Sequence, residues 1–96
     1  MDKRETTEKI IQLVGSQENI NSVTHCFTRL RFKLKDRSKV NDEKLNEISA
    51  VMGLYDRGGE LQVIMGNKVT EYYSEAEKLL GAKTQGAVDE VLDEEN

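Results

Sequence analysis

The chain is poor in the residues that would place it in several large functional classes. It has one cysteine in 96 residues, Cys26, so no disulfide can form within it. That fits a reducing compartment and a cytoplasmic location. A second thiol for a Cys-x-x-Cys redox centre is missing, which argues against a thiol redox protein. One cysteine and one histidine fall short of the ligand set of a zinc site, and no Walker-type glycine loop is present, so neither a metal nor a nucleotide cofactor is expected. No apolar run approaches the roughly 20 residues of a membrane span. Met1 to Glu5 lead into an amphipathic stretch with no apolar h-region, so no secretory signal is expected there. Aromatic residues make up 5% of the chain, few for a surface that stacks bases.

What remains is one domain's worth of sequence with an uneven charge. The net charge of −4 resides in residues 81–96, where five carboxylates face Lys83 alone. Residues 1–80 carry 13 basic and 13 acidic side chains. Within that neutral body, Arg29, Arg31, Lys33, Lys35, Arg37 and Lys39 face only Asp36, a local charge of +5. Such a stripe suits an anion or an acidic surface; it also suits a solvated strand whose charges discourage edge pairing.

Cys26 opens this stripe, in Val23-Thr24-His25-Cys26-Phe27-Thr28-Arg29-Leu30-Arg31-Phe32. Most single cysteines are small buried hydrophobes without a chemical role. Here the flanking positions 24, 25, 28, 29 and 31 are polar or charged, poor company for a core thiol. Side chains alternate along an extended strand, so Arg29 and Arg31 share a face while Leu30, Phe32 and Leu34 share the other. A thiol near fixed guanidinium groups is acidified toward the nucleophilic thiolate. Two guanidinium forks beside it match phosphoryl oxygens.

The pattern of elements is clear. Asp2 and Glu5 have capping-box spacing ahead of Ile10, Leu13 and Val14, and Gly15 is a stop, so a helix is expected at about 3–14. Ser16 to Asn21 reads as a polar loop. Ser22 to Cys26 and Arg29 to Lys35 read as strands of a tight hairpin with Cys26 at its turn. Asn41 caps a short helix with Leu45 and Ile48 inward. Ala50 to Tyr55 and Glu60 to Met65 form a second hairpin around Asp56-Arg57-Gly58-Gly59. Asn67 caps a last helix, in which Val69, Tyr72, Tyr73, Ala76, Leu79 and Leu80 make an apolar stripe. The order α-β-β-α-β-β-α predicts an α+β two-layer sandwich, a four-stranded antiparallel sheet with three helices on one face. Arg29, Arg31, Lys33 and Lys35 are expected on the open face or its rim. Residues 81–96 read as an acidic, mobile tail or linker.

The segment from Asn19 to Phe32 resembles the active-site segment of the IIB domain of the bacterial phosphoenolpyruvate-dependent sugar phosphotransferase system. The resemblance is to the glucose superfamily, sucrose and β-glucoside branch. It continues through Leu34-Lys35-Asp36, Val51-Met52-Gly53 and Gly58-Gly59-Glu60-Leu61-Gln62-Val63-Ile64-Met65-Gly66-Asn67, about residues 5–80 in all. Cys-x-Thr-Arg-Leu-Arg with a downstream Gly-Gly-x-x-Gln-Val is specific in combination.

The resemblance implies a phosphocarrier domain over 1–80, with 81–96 leading toward a membrane domain. Cys26 would take a phosphoryl group from a phosphohistidine of a IIA domain and pass it to a sugar held by a IIC transporter, at the cytoplasmic face of the membrane. Arg29 and Arg31 match the arginines of onward transfer. Thr28 and the backbone N–H of Phe27 would hold phosphate oxygens, and Gln62 matches a glutamine of the neighbouring hairpin. His25 would tune the thiolate. Phe27 and Glu60 depart from the pattern, and Glu60 puts a carboxylate near the phosphate surface. The competing reading is a small RNA-binding module using strand 29–39. Against it stand the neutral body and the one ring among the cations, Phe32, which points inward.

Overall fold

The computed structural model describes residues 1–88. Helix α1 spans Lys3–Leu13. The Asp2 carboxylate accepts the Glu5 N–H and the Glu5 carboxylate accepts the Asp2 N–H, so two otherwise orphaned donors are satisfied reciprocally. The helix ends ahead of Gly15, whose φ of 107° belongs to glycine; a Cβ there would lie 2.6 Å from Asn19 Nδ2. Asn19 is buried in this corner. Its Nδ2 donates to the carbonyls of Val14 and Asp36, and its Oδ1 accepts the Asp36 N–H. The stretch expected to be a polar loop is therefore a 3-10 turn, Gln17–Asn19, organised by one buried amide. Strand β1 begins at once, Ile20–His25.

Strand β2 is Arg29–Leu34 and helix α2 is Asp42–Glu47, with Asn41 Oδ1 accepting the Lys44 N–H as its cap. Strand β3, Gly53–Arg57, starts later than the reading from Ala50. The Val51 N–H instead closes a turn on the Ile48 carbonyl. Gly58 and Gly59, with φ of 52° and 85°, make the two-residue turn into β4, Glu60–Ile64. Helix α3 is Val69–Leu80. A 3-10 turn, Gly66–Lys68, precedes it, so Lys68 rather than Asn67 holds the cap position, and no side chain caps it.

The sheet has five strands in the order β3-β4-β2-β1-β5, where β5 is Thr84–Ala87. The first four are antiparallel, as expected; β5 runs parallel to β1. The sheet is therefore mixed, not a four-stranded antiparallel one, and the tail reading is corrected for residues 81–87. The acidic residues from Asp89 onward lie outside the described residues. Nothing in Thr84-Gln85-Gly86-Ala87 reads as a strand, because an edge strand of this kind is held by main-chain bonds to its neighbour rather than by its own side chains. Three α-helices cover the face that carries Val23, Leu30, Phe32, Leu61 and Val63, packed against Ile10, Leu45, Val69 and Tyr73. The α+β two-layer plan holds, and the opposite sheet face carries the polar alternates.

Candidate functional site

The turn between β1 and β2 is Cys26-Phe27-Thr28. The Cys26 N–H donates to the Arg29 carbonyl at 3.1 Å, closing the hairpin. The Thr28 carbonyl accepts two further N–H groups, from Met65 at 2.8 Å and Gly66 at 3.0 Å. The loop is thereby bolted to the segment that links β4 with α3. It contains no glycine, so its shape is held by these bonds rather than by permissive backbone. Phe27 is turned outward, 75% exposed. Cys26 is turned inward and only 4% exposed, with Sγ donating to the Arg29 carbonyl at 3.8 Å. The polar neighbours of Cys26 had suggested an exposed thiol. In a hairpin turn, however, the strand alternation no longer applies, and successive residues point independently.

The arginine face is also less open than its sequence suggests. Strand β2 lies between β1 and β4, so Arg31 is flanked by Thr24 and Gln62. It is 6% exposed, and Gln62 is 1% exposed. This corrects the expectation of an open face or rim for Arg31, whereas Arg29 is half-buried. Burial of a charge demands a partner, and the neighbouring strand supplies one. Glu60 Oε1 accepts Arg31 Nε at 2.9 Å and Nη2 at 2.8 Å. The same oxygen accepts Gln62 Nε2 at 3.0 Å, and Gln62 Oε1 accepts Arg29 Nη1 at 2.8 Å. The Arg29 guanidinium also lies 5.5 Å from the centroid of the Tyr55 ring, within cation–π range. Register gives the network a direction. Arg29 stands opposite Ile64 but bonds Gln62, and Arg31 stands opposite Gln62 but bonds Glu60. Both side chains lean along β4 toward the Gly58–Gly59 turn, away from the thiol loop.

His25 closes the other side. Its Nδ1 lies 3.0 Å from the Cys26 carbonyl, and its ring packs on Tyr73 of α3 with centroids 4.4 Å apart. Tyr73 Oη accepts the Gly86 N–H at 2.6 Å, and the His25 carbonyl accepts the Val88 N–H at 2.8 Å. Strand β5 thus reaches within one residue of the thiol.

Farther along the stripe, Arg37 is claimed by two carboxylates: Nη1 and Nη2 meet Asp42 at 2.8 and 2.6 Å, and Nε meets Asp56 Oδ1 at 2.6 Å. These bonds push the Arg37 guanidinium further above its already high range and hold the Asp42 carboxyl below the ordinary carboxylate value. Arg31 and Arg37 are therefore committed to internal ion pairs.

The structure links Arg29, Arg31 and Gln62 in one network that leans away from the turn, places Cys26 and Thr28 in that turn just ahead of β2, and puts His25 behind the loop. Sequence reasoning missed Tyr55 as a support for Arg29, the role of Glu60 as Arg31's partner, and Tyr73 as the floor of His25. Tyr55 and Glu60 were legible in principle. A two-residue Gly-Gly turn sets Arg57 opposite Glu60 and Tyr55 opposite Gln62 by counting alone. Tyr73 carried no such signal, since a helix stripe reads as core.

Three similarities bear on this arrangement. A family model described as phosphotransferase system, EIIB, matches residues 8–41. The solved structure of one domain of the PTS system IIabc component from Clostridium difficile is 36% identical, with a TM-score of 0.80, and covers 88% of this chain and 87% of that one. Among curated relatives, the beta-glucoside-specific EIIBCA component of Halalkalibacterium halodurans is 40% identical over 85 residues, 88% of this chain and 13% of the relative. The sucrose-specific EIIBC component of Staphylococcus xylosus is 39% identical over 92 residues, 95% of this chain and 19% of the relative. The chain thus spans less than a fifth of the length of these two relatives. With sequence and fold in agreement, the chain belongs to the EIIB family of the phosphotransferase system.

Proposed function

We propose that Cys26 carries a phosphoryl group between a phosphohistidine donor and a sugar. The thiolate attacks phosphorus, the S–P bond forms and the N–P bond of the donor histidine breaks. A sugar hydroxyl then attacks the phosphocysteine, the O–P bond forms, the S–P bond breaks and the thiolate is restored, with the hydroxyl proton passing to a base. The relatives named EIIBC and EIIBCA join this kind of domain to C and A components. That supports a IIA domain as donor and a membrane-embedded IIC transporter as holder of the sugar, with the domain working at the cytoplasmic face. Relatives of nearly equal identity carry β-glucoside and sucrose names. The chemistry of the site is accordingly read as common to several sugars, with the choice of sugar made outside it.

The observation that carries the reading is the single thiol held in a bolted turn, three residues ahead of Arg29 and just before the strand that presents Arg31. Phosphoryl transfer passes through a loose transition state whose charge spreads over the equatorial oxygens, so the protein's work is positioning and charge stabilisation. A turn fixed at its Thr28 carbonyl holds the sulfur in place before any partner docks. Thr28 and the backbone N–H of Phe27 follow the thiol and take phosphate oxygens. Arg29 and Arg31 neutralise the group during its departure to the sugar. Gln62 acts through Arg29, which it holds, and His25 acts through the Cys26 carbonyl, which fixes the turn. No metal or other cofactor is needed.

Incubation with phosphoenolpyruvate, the general phosphotransferase proteins and a IIA domain should add one phosphate to the chain. Cys26→Ser should remove the iodine-sensitive label entirely. The reading is lost if that variant is labelled like the parent.

A further inference from the structure

We propose that Glu60 is a positioning residue that sets how firmly Cys26 keeps its phosphoryl group, by competing with that group for Arg31. The inference rests on the phosphocysteine reading above and goes beyond it. Glu60 Oε1 takes Arg31 Nε and Nη2 together, the same paired edge with which a guanidinium clasps a phosphoryl group. The pair is shielded, with side-chain exposures of 7% for Arg31 and 14% for Glu60, so water and salt weaken it little. The same Glu60 oxygen holds Gln62, which in turn holds Arg29. One carboxylate therefore keeps both arginines tilted toward the Gly58–Gly59 turn.

Cys26 lies at the opposite end of this line. Its N–H is bonded to the Arg29 carbonyl, and Arg31 is two residues farther, about 7 Å along the strand. That is within reach of an extended arginine side chain. In the unphosphorylated domain, Glu60 compensates the buried Arg31 guanidinium. In the phosphorylated domain, two anions contend for Arg31. The phosphocysteine is then held less firmly than an uncontested arginine would hold it. Its readiness to give the group away is preserved.

The test is the equilibrium partition of radiolabelled phosphate between a IIA donor and the full chain. Glu60→Gln keeps the shape and an acceptor for Arg31 but removes the charge. It should shift the partition toward phosphocysteine by about tenfold, within the usual range of coupling between interacting sites. Glu60→Asp, which keeps the charge, should stay near the parent. A Glu60→Gln partition within about twofold of the parent, in a folded chain, would mean that Glu60 is only a structural partner. A second measurement needs no variant. The Arg31 Nε–H resonance should move when Cys26 is phosphorylated in the unaltered chain, and an unmoved resonance overturns the proposal. Failure of the underlying reading looks different, since Cys26→Ser would then still take label.

Discussion

The sheet ends its two hairpins in turns of opposite kind. Cys26-Phe27-Thr28 contains no glycine and is fixed from outside, its Thr28 carbonyl bound by two N–H groups of the segment that enters α3. Gly58-Gly59 takes its shape from permissive backbone, and beyond its chain neighbours no atom lies within 4 Å of where either Cβ would stand. One turn holds the thiol and draws its precision from tertiary bonds. The other only reverses the chain, yet it sets the register that brings Tyr55, Glu60 and Gln62 to the arginines. The difference teaches where the two halves of the chemistry reside. On the proposed function, the bolted turn serves the receipt of a group, and the side chains set in register by the Gly58-Gly59 turn serve its departure.

Arg31→Lys breaks this comparison hardest. Lysine keeps the charge but loses the fork that Glu60 now occupies. Transfer onward to sugar should fall about a hundredfold, the cost of removing one aimed donor from a transition state. Labelling of Cys26 by the IIA donor should change far less. Equal losses in the two assays would merge the roles that the two hairpins separate.

A mechanical test follows at smaller scale. Gly66 donates to Thr28 at a φ of 77°, and a Cβ there would meet Met52 Sδ at 3.0 Å. Gly66→Ala should cost about 2 kcal/mol in urea denaturation, from left-handed strain and crowding together, and should slow Cys26 labelling.

The Arg37 clasp gives a pH-dependent contrast of about 1 kcal/mol, a modest figure because its partners are half exposed and solvent screens them. The Asp42 carboxyl is held below its ordinary value by the hydrogen bonds of Arg37. A depressed carboxylate contributes stability above its ordinary value of about 4 and loses it as pH falls through the lowered one. The parent should therefore exceed Arg37→Ala in stability at neutral pH, and the gap should close under acid. A gap that persists at low pH would place the contribution in packing instead. The smallest effect belongs to the free turn: Gly58→Asn should lie within about 0.5 kcal/mol of the parent, since this turn type accepts asparagine there.

The local elements were largely legible. The reciprocal cap of Asp2 and Glu5, the Asn41 cap and the stripe of α3 each depend on residues a few positions apart, and each is present. So were the two hairpins and the α+β plan, because apolar alternation specifies which face of a strand is buried. Cys26, Arg29 and Arg31 could be singled out for the same reason, as a thiol and two forks on one short segment. The burial of Cys26 and Arg31 could not. It follows from the inward turn of one loop and from β2's place between β1 and β4, neither of which is encoded within ten residues of either side chain.

Sequence by itself determined the residue types at the site, their spacing and the faces they share, since these follow from covalent order and from the two-residue period of a strand. Only the tertiary structure decided that Thr84–Ala87 closes the sheet beside His25, that Tyr73 floors His25, and that Glu60 holds Arg31. The physical reason is common to all three. Each is a contact between groups far apart in the chain, and its strength comes from burial and register that exist only after the sheet has formed.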